Sequence, residues 1–381
     1  MSNLKTRYDK WLLIIFFTLL GIGLIMVTSA SVAISEKMNL PTFYFAYHQC
    51  LYIAIGLSVF FTTSHMPIKY FKTYSIIFLL VILILLSILL LPGITHPING
   101  SIRWLFFGPI SIQPSEIIKL SIIIYISNYM VSNSNQMHTQ LIGLLIPILI
   151  LTIITLLLLL EPDFGAAIII TLITLGMLFL GGLQFKRFLA LLLIIMIGIT
   201  MLSMSSSYRI LRFLSFANPW YDQYNAGYQL AQSLIAFGNG AWFGTGLGGS
   251  VQKLFYLPES HTDFIFAVLA EEFGLFGVFL VILLYIIFIH KTMKIGRRAR
   301  LQSQLFNSYI AYGIALWIGL QSVINVGVNI GIFPTKGITL PFMSSGGSSI
   351  IIMCMAAAIL FRIDFESRFY RNVHKVFFNK I

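Results

Sequence analysis

Ten apolar runs divide the chain, at residues 11–34, 44–63, 73–92, 114–131, 141–160, 163–182, 188–205, 263–290, 308–332 and 340–362. Each is close to the roughly 20 residues a helix needs to cross about 30 Å of hydrocarbon. The runs predict an all-α polytopic membrane protein with ten transmembrane helices. One long extracytoplasmic loop, residues 206–262, joins helices 7 and 8. Residues 1–10 and 363–381 are left as cytoplasmic tails on a membrane domain at 11–362. Charged residues make up 9% of the 381, against about 25% in a soluble domain. Disorder, a secreted disulfide scaffold and a cytosolic nucleotide-fold enzyme are therefore excluded. Cys50 and Cys354 both fall inside apolar runs and read as small core residues.

The net charge of +12 has a topological explanation. With the N-terminus inside, 17 of the 24 Lys and Arg fall on inner segments, six on outer segments, and Lys119 within a span. The positive-inside rule then places both termini in the cytoplasm, and a nucleic-acid partner is set aside. The basic stretch 291–300 and the tail face membrane lipids or other proteins, with solvated topology signals as the simpler account. The first run, with Ser29-Ala30-Ser31-Val32-Ala33 inside it, reads as a retained helix instead of a cleaved signal. Only Asp9, Asp364 and Glu366 of the twelve acidic residues lie on the inner side.

Polar chemistry gathers at the outer ends of the spans. The clusters are Asn99 to Trp104, Gln113 to Lys119, Glu161-Pro162-Asp163-Phe164-Gly165, Leu257 to Phe264, and Pro334 to Gly337 with Ser344 to Ser349. Ordinary helix starts account for part of this: Pro114 with Glu116, Pro162 with Asp163, and Asp263 after Thr262 all place an acid near a helix N-terminus. Lys119 shares a helix face with Glu116 and can pair with it. Gln321, Asn325 and Asn329 form a stripe that serves either as interhelical glue or as a path. Gly244 to Gly249 matches GxGxxG on paper, but follows no strand and reads as turns and close packing, with amides able to approach an anion. The seven tyrosines and tryptophans of the long loop suit the membrane surface or sugars. His261 has no second His or Cys near it for a zinc site.

Nucleotide sugars and ATP are absent outside a bacterial-type membrane, so an enzyme there needs a substrate that arrives activated. A lipid-linked sugar diphosphate fits: its anion calls for Arg or Lys, its sugars for aromatic surfaces, and glycosyl transfer for a carboxylate base.

The motifs NGSIRW, QPSEIIKL, EPDFG, GYQLAQSLIAFGNG, SVQKLFYLPESHTDFIFAVLAEEFG, FPTKG and LPFMSSGGSS resemble those of the SEDS family (shape, elongation, division and sporulation), closest to its cell-division branch. The resemblance implies a ten-helix peptidoglycan glycosyltransferase of the bacterial cytoplasmic membrane. It would polymerise lipid II into nascent glycan at the septum, beside a class B penicillin-binding transpeptidase and other division proteins. By position, Asp263 is the essential carboxylate and general base. Arg103 and Trp104 stand at the extracellular RW pair. Lys119 and Glu259 match cavity positions, and His261 joins them as substrate-binding. Arg103, Lys119, Arg209, Lys253 and Lys336 are candidates to offset diphosphate charge. No cofactor is firmly implied; a divalent cation, Mg or Mn, is compatible with the diphosphate. Ser345 departs from a common tyrosine and Glu161 from a frequent glutamine. Two rivals remain at this level: a lipid II flippase, suggested by Glu271 and Glu272 but lacking an inverted repeat, and a non-catalytic scaffold for a division transpeptidase.

Overall fold

The computed structural model describes residues 8–91, 103–107, 110–134, 142–204, 216, 218–222, 224, 225 and 227–378. In chain order its elements are α1 (Lys10–Lys37), α2 (Tyr44–His65), α3 (Ile68–Thr73), α4 (Ser75–Leu89), β1 (Leu105–Phe107), β2 (Ile110–Ile112), α5 (Pro114–Ser132), α6 (Ile142–Leu160), α7 (Phe164–Leu180), α8 (Phe185–Met204), α9 (Tyr228–Gly240), α10 (Ile265–Leu301), α11 (Leu305–Asn329) and α12 (Gly347–Phe378). The protein is a helical, polytopic membrane protein. Among the described residues α1, α2, α6, α10, α11 and α12 are long and apolar enough to cross a bilayer, and α4 and α7 are shorter apolar helices.

The helix starts follow local chemistry. Asp9 caps α1, accepting from the Trp11 and Leu12 amides at 3.1 and 3.3 Å. Asp163 caps α7 through the Ala166 amide at 3.3 Å, and Pro114 opens α5 with Glu116 in its first turn. Three boundaries differ from the sequence reading. A small antiparallel hairpin, Leu105 opposite Ile112, interrupts the all-helical pattern. Residues 340–346, assigned to the last span, are not helical: the Ser344 hydroxyl takes the Leu340 amide at 2.7 Å, and the helix begins only at Gly347. Asp263 lies two residues before α10 instead of in its first turn.

α10 is also broken. Gly274 has φ 65° and ψ −166°, a conformation that glycine alone adopts without steric cost. The Glu271 and Glu272 carbonyls accept instead from the Thr245 and Gly246 amides, both at 3.0 Å. The Leu275 and Phe276 amides donate to the Ala241 and Trp242 carbonyls at 2.9 and 3.2 Å. The loop thus supplies the backbone partners that the helix lost at the break. Gly244 is pressed so close that a Cβ there would stand 2.2 Å from the Glu272 carbonyl oxygen. Residues 228–262 therefore run down α10 and back, reaching Glu272, about 10 Å along the helix from Ile265. The GxGxxG run is packing, and its Thr245 and Gly246 amides are spent on this break.

Elsewhere the core is aromatic and tightly interlocked. Phe342 meets Phe16 of α1 at 5.5 Å and Phe288 of α10 at 5.4 Å between ring centroids. Helices α10 and α11, and α12 with α2, form the main contacts, with α5 and α7 packed on α11. Cys354 is buried, whereas Cys50 is exposed on α2. At the end of the bundle that carries Asp9 and Asp364 the basic residues are not merely solvated. Buried Asp364 holds both Arg298 and Arg368, Asp9 pairs with Lys291 at 3.3 Å, and Glu366 pairs with Arg362 at 2.8 Å.

Candidate functional site

Polar clusters separate in sequence converge around the turn between α6 and α7. Arg103 donates to the Pro162 carbonyl and lies 3.9 Å from Asp163. Lys336 sits over the Phe164 ring, 4.4 Å from its centroid. Two cations thus approach the start of α7 from different loops. The loop that carries Lys336 also reaches Asp263: a Cβ on Gly337 would stand 2.9 Å from Asp263 Oδ2.

Asp263 is half-buried. Burial, then the nearby Glu259 and Asp163 charges, push its carboxyl up to about 7, against an opposing pull from Arg103. A carboxylate balanced near neutrality is suited to accepting a proton from a hydroxyl. Glu259 is exposed and takes the Thr262 hydroxyl at 2.8 Å. His261 packs on Phe45 with ring centroids 5.0 Å apart. Burial holds its imidazole below the ordinary value, with Glu259 opposing, and its Nδ1 is buried without a partner. Its carbonyl accepts the Ser345 amide at 3.0 Å, so the backbone of this position carries the contact to the last motif.

Lys119 lies inside the helix bundle, 2% exposed. Its Nζ donates to Glu116 at 2.5 Å and to Gln321 at 3.1 Å, with the Trp317 ring 5.3 Å away. The predicted Glu116 pair is present, and Gln321 continues it to the Thr339 carbonyl at 2.9 Å. Lys119 is thus a buried support beneath the 334–340 loop.

Lys253 is engaged within the protein. Its Nζ is committed to Glu272 at 2.7 Å and to Ser29 at 2.8 Å, and the residue is 8% exposed. A buried ammonium keeps such a partner because losing it costs several kcal/mol, so in this structure Lys253 braces the broken helix. Glu271, the other half of the acidic pair, accepts from Asn239 at 3.1 Å, from the Ser250 hydroxyl and from the Gln252 amide at 3.2 Å. Trp104 is half-buried beside Arg103. Arg209 lies outside the described residues.

Sequence reading did not single out Glu161 as a site residue. It is 1% exposed, and both its oxygens lack a partner. Burial and then Asp163 raise its carboxyl to about 8, with Arg103 opposing. Among the described residues no three His, Cys, Asp or Glu side chains gather closely enough to hold a metal ion. Beside the cluster, an apolar groove of about 270 Å³ opens between α6, α7 and α8. Phe164 lines it together with Leu151, Thr155, Ile168, Leu191 and Ile194.

A family model for the cell cycle proteins FtsW, RodA and SpoVE matches residues 10–369. The chain belongs to this family. The SEDS resemblance of the motifs holds over nearly the full length. A Legionella pneumophila protein named "Probable peptidoglycan glycosyltransferase FtsW" is 48% identical over 368 residues, 97% of this chain and 93% of the relative. A Coxiella burnetii protein of the same name is 48% identical over 367 residues, covering 96% of this chain and 98% of its own. Among solved structures, a chain of a peptidoglycan synthase complex that coordinates polymerization and crosslinking superposes with a TM-score of 0.78 at 23% identity, over 94% of this chain and 98% of that one. RodA of Thermus thermophilus superposes with a TM-score of 0.69 at 24% identity, over 94% and 96%. These structural likenesses bear on the fold.

Proposed function

We propose that the protein is a peptidoglycan glycosyltransferase that polymerises lipid II at the outer face of the bacterial cytoplasmic membrane during cell division. The observation that carries the reading is the near-neutral Asp263 carboxyl beside two outer cations, Arg103 and Lys336, that meet at the start of α7. The names of the FtsW relatives supply the reaction class. Ten membrane crossings with both termini cytoplasmic fit the helix order and the inward bias of basic residues. The partner under this reading is a class B penicillin-binding transpeptidase at the septum.

The chemistry follows from the groups present. Asp263 accepts the proton of the acceptor sugar hydroxyl as its oxygen attacks the donor's anomeric carbon. A new glycosidic C–O bond forms while the bond to the diphosphate breaks. Polyprenyl diphosphate leaves with the electron pair, and Arg103 and Lys336 offset its charge. The groove beside Phe164 gives the polyprenyl chain an apolar berth next to those cations. Arg209, outside the described residues, keeps its place as a third cation of this set by position alone.

Incubating the purified chain and its cognate transpeptidase with lipid II in detergent micelles tests this directly, because micelles offer no barrier to cross. Glycan polymer is the expected product. Lipid translocation in vesicles with no polymer in micelles would favour a flippase, and neither activity would leave the scaffold reading.

A further inference from the structure

The stripe Gln321, Asn325 and Asn329 on α11 is almost wholly buried, and the reaction as written makes no use of its lower two amides. Asn325 Nδ2 donates to two main-chain carbonyls, that of Asp263 at 2.8 Å and that of Ile338 at 2.6 Å. Asn329 Nδ2 donates to the same Asp263 carbonyl at 3.1 Å and to the Asn325 carbonyl at 2.8 Å. Its Oδ1 accepts from the Ala267 amide at 3.1 Å, and its own carbonyl takes the Ser233 hydroxyl of α9 at 2.7 Å.

These bonds join two segments that have no regular structure of their own. Asp263 precedes α10, and residues 334–340 lie between α11 and α12 without helix or strand. One amide nitrogen of Asn325 holds a carbonyl from each. The neighbours of those carbonyls are the functional groups: the Asp263 carboxylate on one side, Gly337 and Lys336 on the other. The absence of a side chain on Gly337 lets the carboxylate lie against it. A shift of either segment therefore changes both the aim of the carboxylate and its distance from the Lys336 ammonium.

We propose that Asn325, backed by Asn329, is a positioning residue for the transfer reaction: it locks the Asp263 main chain to the 334–340 segment and so fixes the carboxylate against the cations. The inference rests on Asp263 acting as the base. It differs from a packing role in where its loss is felt. Misplacing a reacting group by about 1 Å costs on the order of 100-fold in rate, while Arg103, held independently at Pro162 and Asp163, keeps its hold on the lipid diphosphate.

The test compares the full chain, bound to its cognate transpeptidase, with Asn325→Ala, Asn329→Ala, Gly337→Ala, Val323→Ala and Asp263→Asn, in lipid II polymerisation across pH 5.5 to 9. Val323 is on α11 but 60% exposed, away from the stripe, and its variant is expected to match the parent. Asn325→Ala is expected to lose roughly 10- to 100-fold in kcat with KM within about threefold. Its acid limb should move to lower pH, because a loosened Asp263 gains water and its carboxyl falls towards the ordinary range. Gly337→Ala, which leaves α11 intact and displaces the carboxylate from the other side, should show the same kcat loss; if Asn325→Ala fails to assemble, this arm decides. Parental kcat in both, or a loss of kcat with a matching rise in KM and an unmoved acid limb, overturns the inference. An inactive Asp263→Asn alongside a fully active Asn325→Ala removes the clamp and leaves the base; an active Asp263→Asn removes the base itself.

Discussion

Glu161→Gln is expected to stabilise the protein, and by an amount that depends on pH. In the folded chain the Glu161 carboxyl is buried without a hydrogen-bond partner, two residues from Asp163, and it is raised from 4.5 to about 8. The unfolded chain ionises it near the ordinary value. A raised carboxyl binds its proton more tightly when folded, so its contribution to stability is fully present below about pH 4.5 and is lost as pH rises through about 8. Integrated over that interval, the native protein gives up at most about 2 kcal/mol by pH 6, about 3 by pH 7 and about 5 above pH 9. Glutamine has the same shape and never ionises, so the variant avoids this loss. Unfolding scans of parent and variant in micelles, run at one fixed rate because membrane proteins often unfold irreversibly, should show a gap in Tm that widens from pH 5 to about pH 8 and then levels. A gap of constant size, or one that narrows as pH rises, would refute the claim that Glu161 is held neutral.

Other outcomes follow from the same geometry. Lys119→Met leaves Glu116 as an uncompensated buried acid and should cost about 3–5 kcal/mol, most of it recovered by adding Glu116→Gln; paired unfolding scans check this. Gly244→Ala puts a Cβ on the Glu272 carbonyl at a φ of +78° and should unseat residues 241–252, seen as new protease cleavage or faster amide exchange there. Polymerisation should rise with pH through about 7, the value of the Asp263 carboxyl, because only the ionised form accepts a proton; a flat rate from pH 5.5 to 8 would contradict that assignment.

The membrane helices were legible because length and apolarity alone force them, and Pro114 with Glu116 marked the start of α5; Pro162, by contrast, lies outside α7, whose N-cap is Asp163. The break in α10 was not read, although Glu271, Glu272 and Gly274 together inside an apolar run carried its signal: two acids in lipid need partners, and the glycine permits the turn that brings them. Periodicity does not show that the partners come from residues 239–253. Nor does the sequence show that Lys253, near Asp263 along the chain, is drawn down to Glu272. The convergence of Arg103, Lys336 and Asp163 is a product of tertiary packing, so residue types could nominate each without joining them. The α11 stripe was visible as a pattern, but its two roles, path or glue, were separable only when its amides were seen to end on main-chain carbonyls. Glu161 was noticed as a departure from glutamine; that it is buried without a partner required the fold.

The central claim is that Asp263 is the carboxylate on which glycan polymerisation depends. The most direct measurement is the initial rate of polymer formation from purified lipid II by the chain with its cognate transpeptidase, comparing the parent with Asp263→Ala at equal folding and equal complex assembly. The account predicts polymer from the parent and essentially none from the variant, while lipid II still binds. Polymer at the parental rate from Asp263→Ala would contradict it and place the base on another residue.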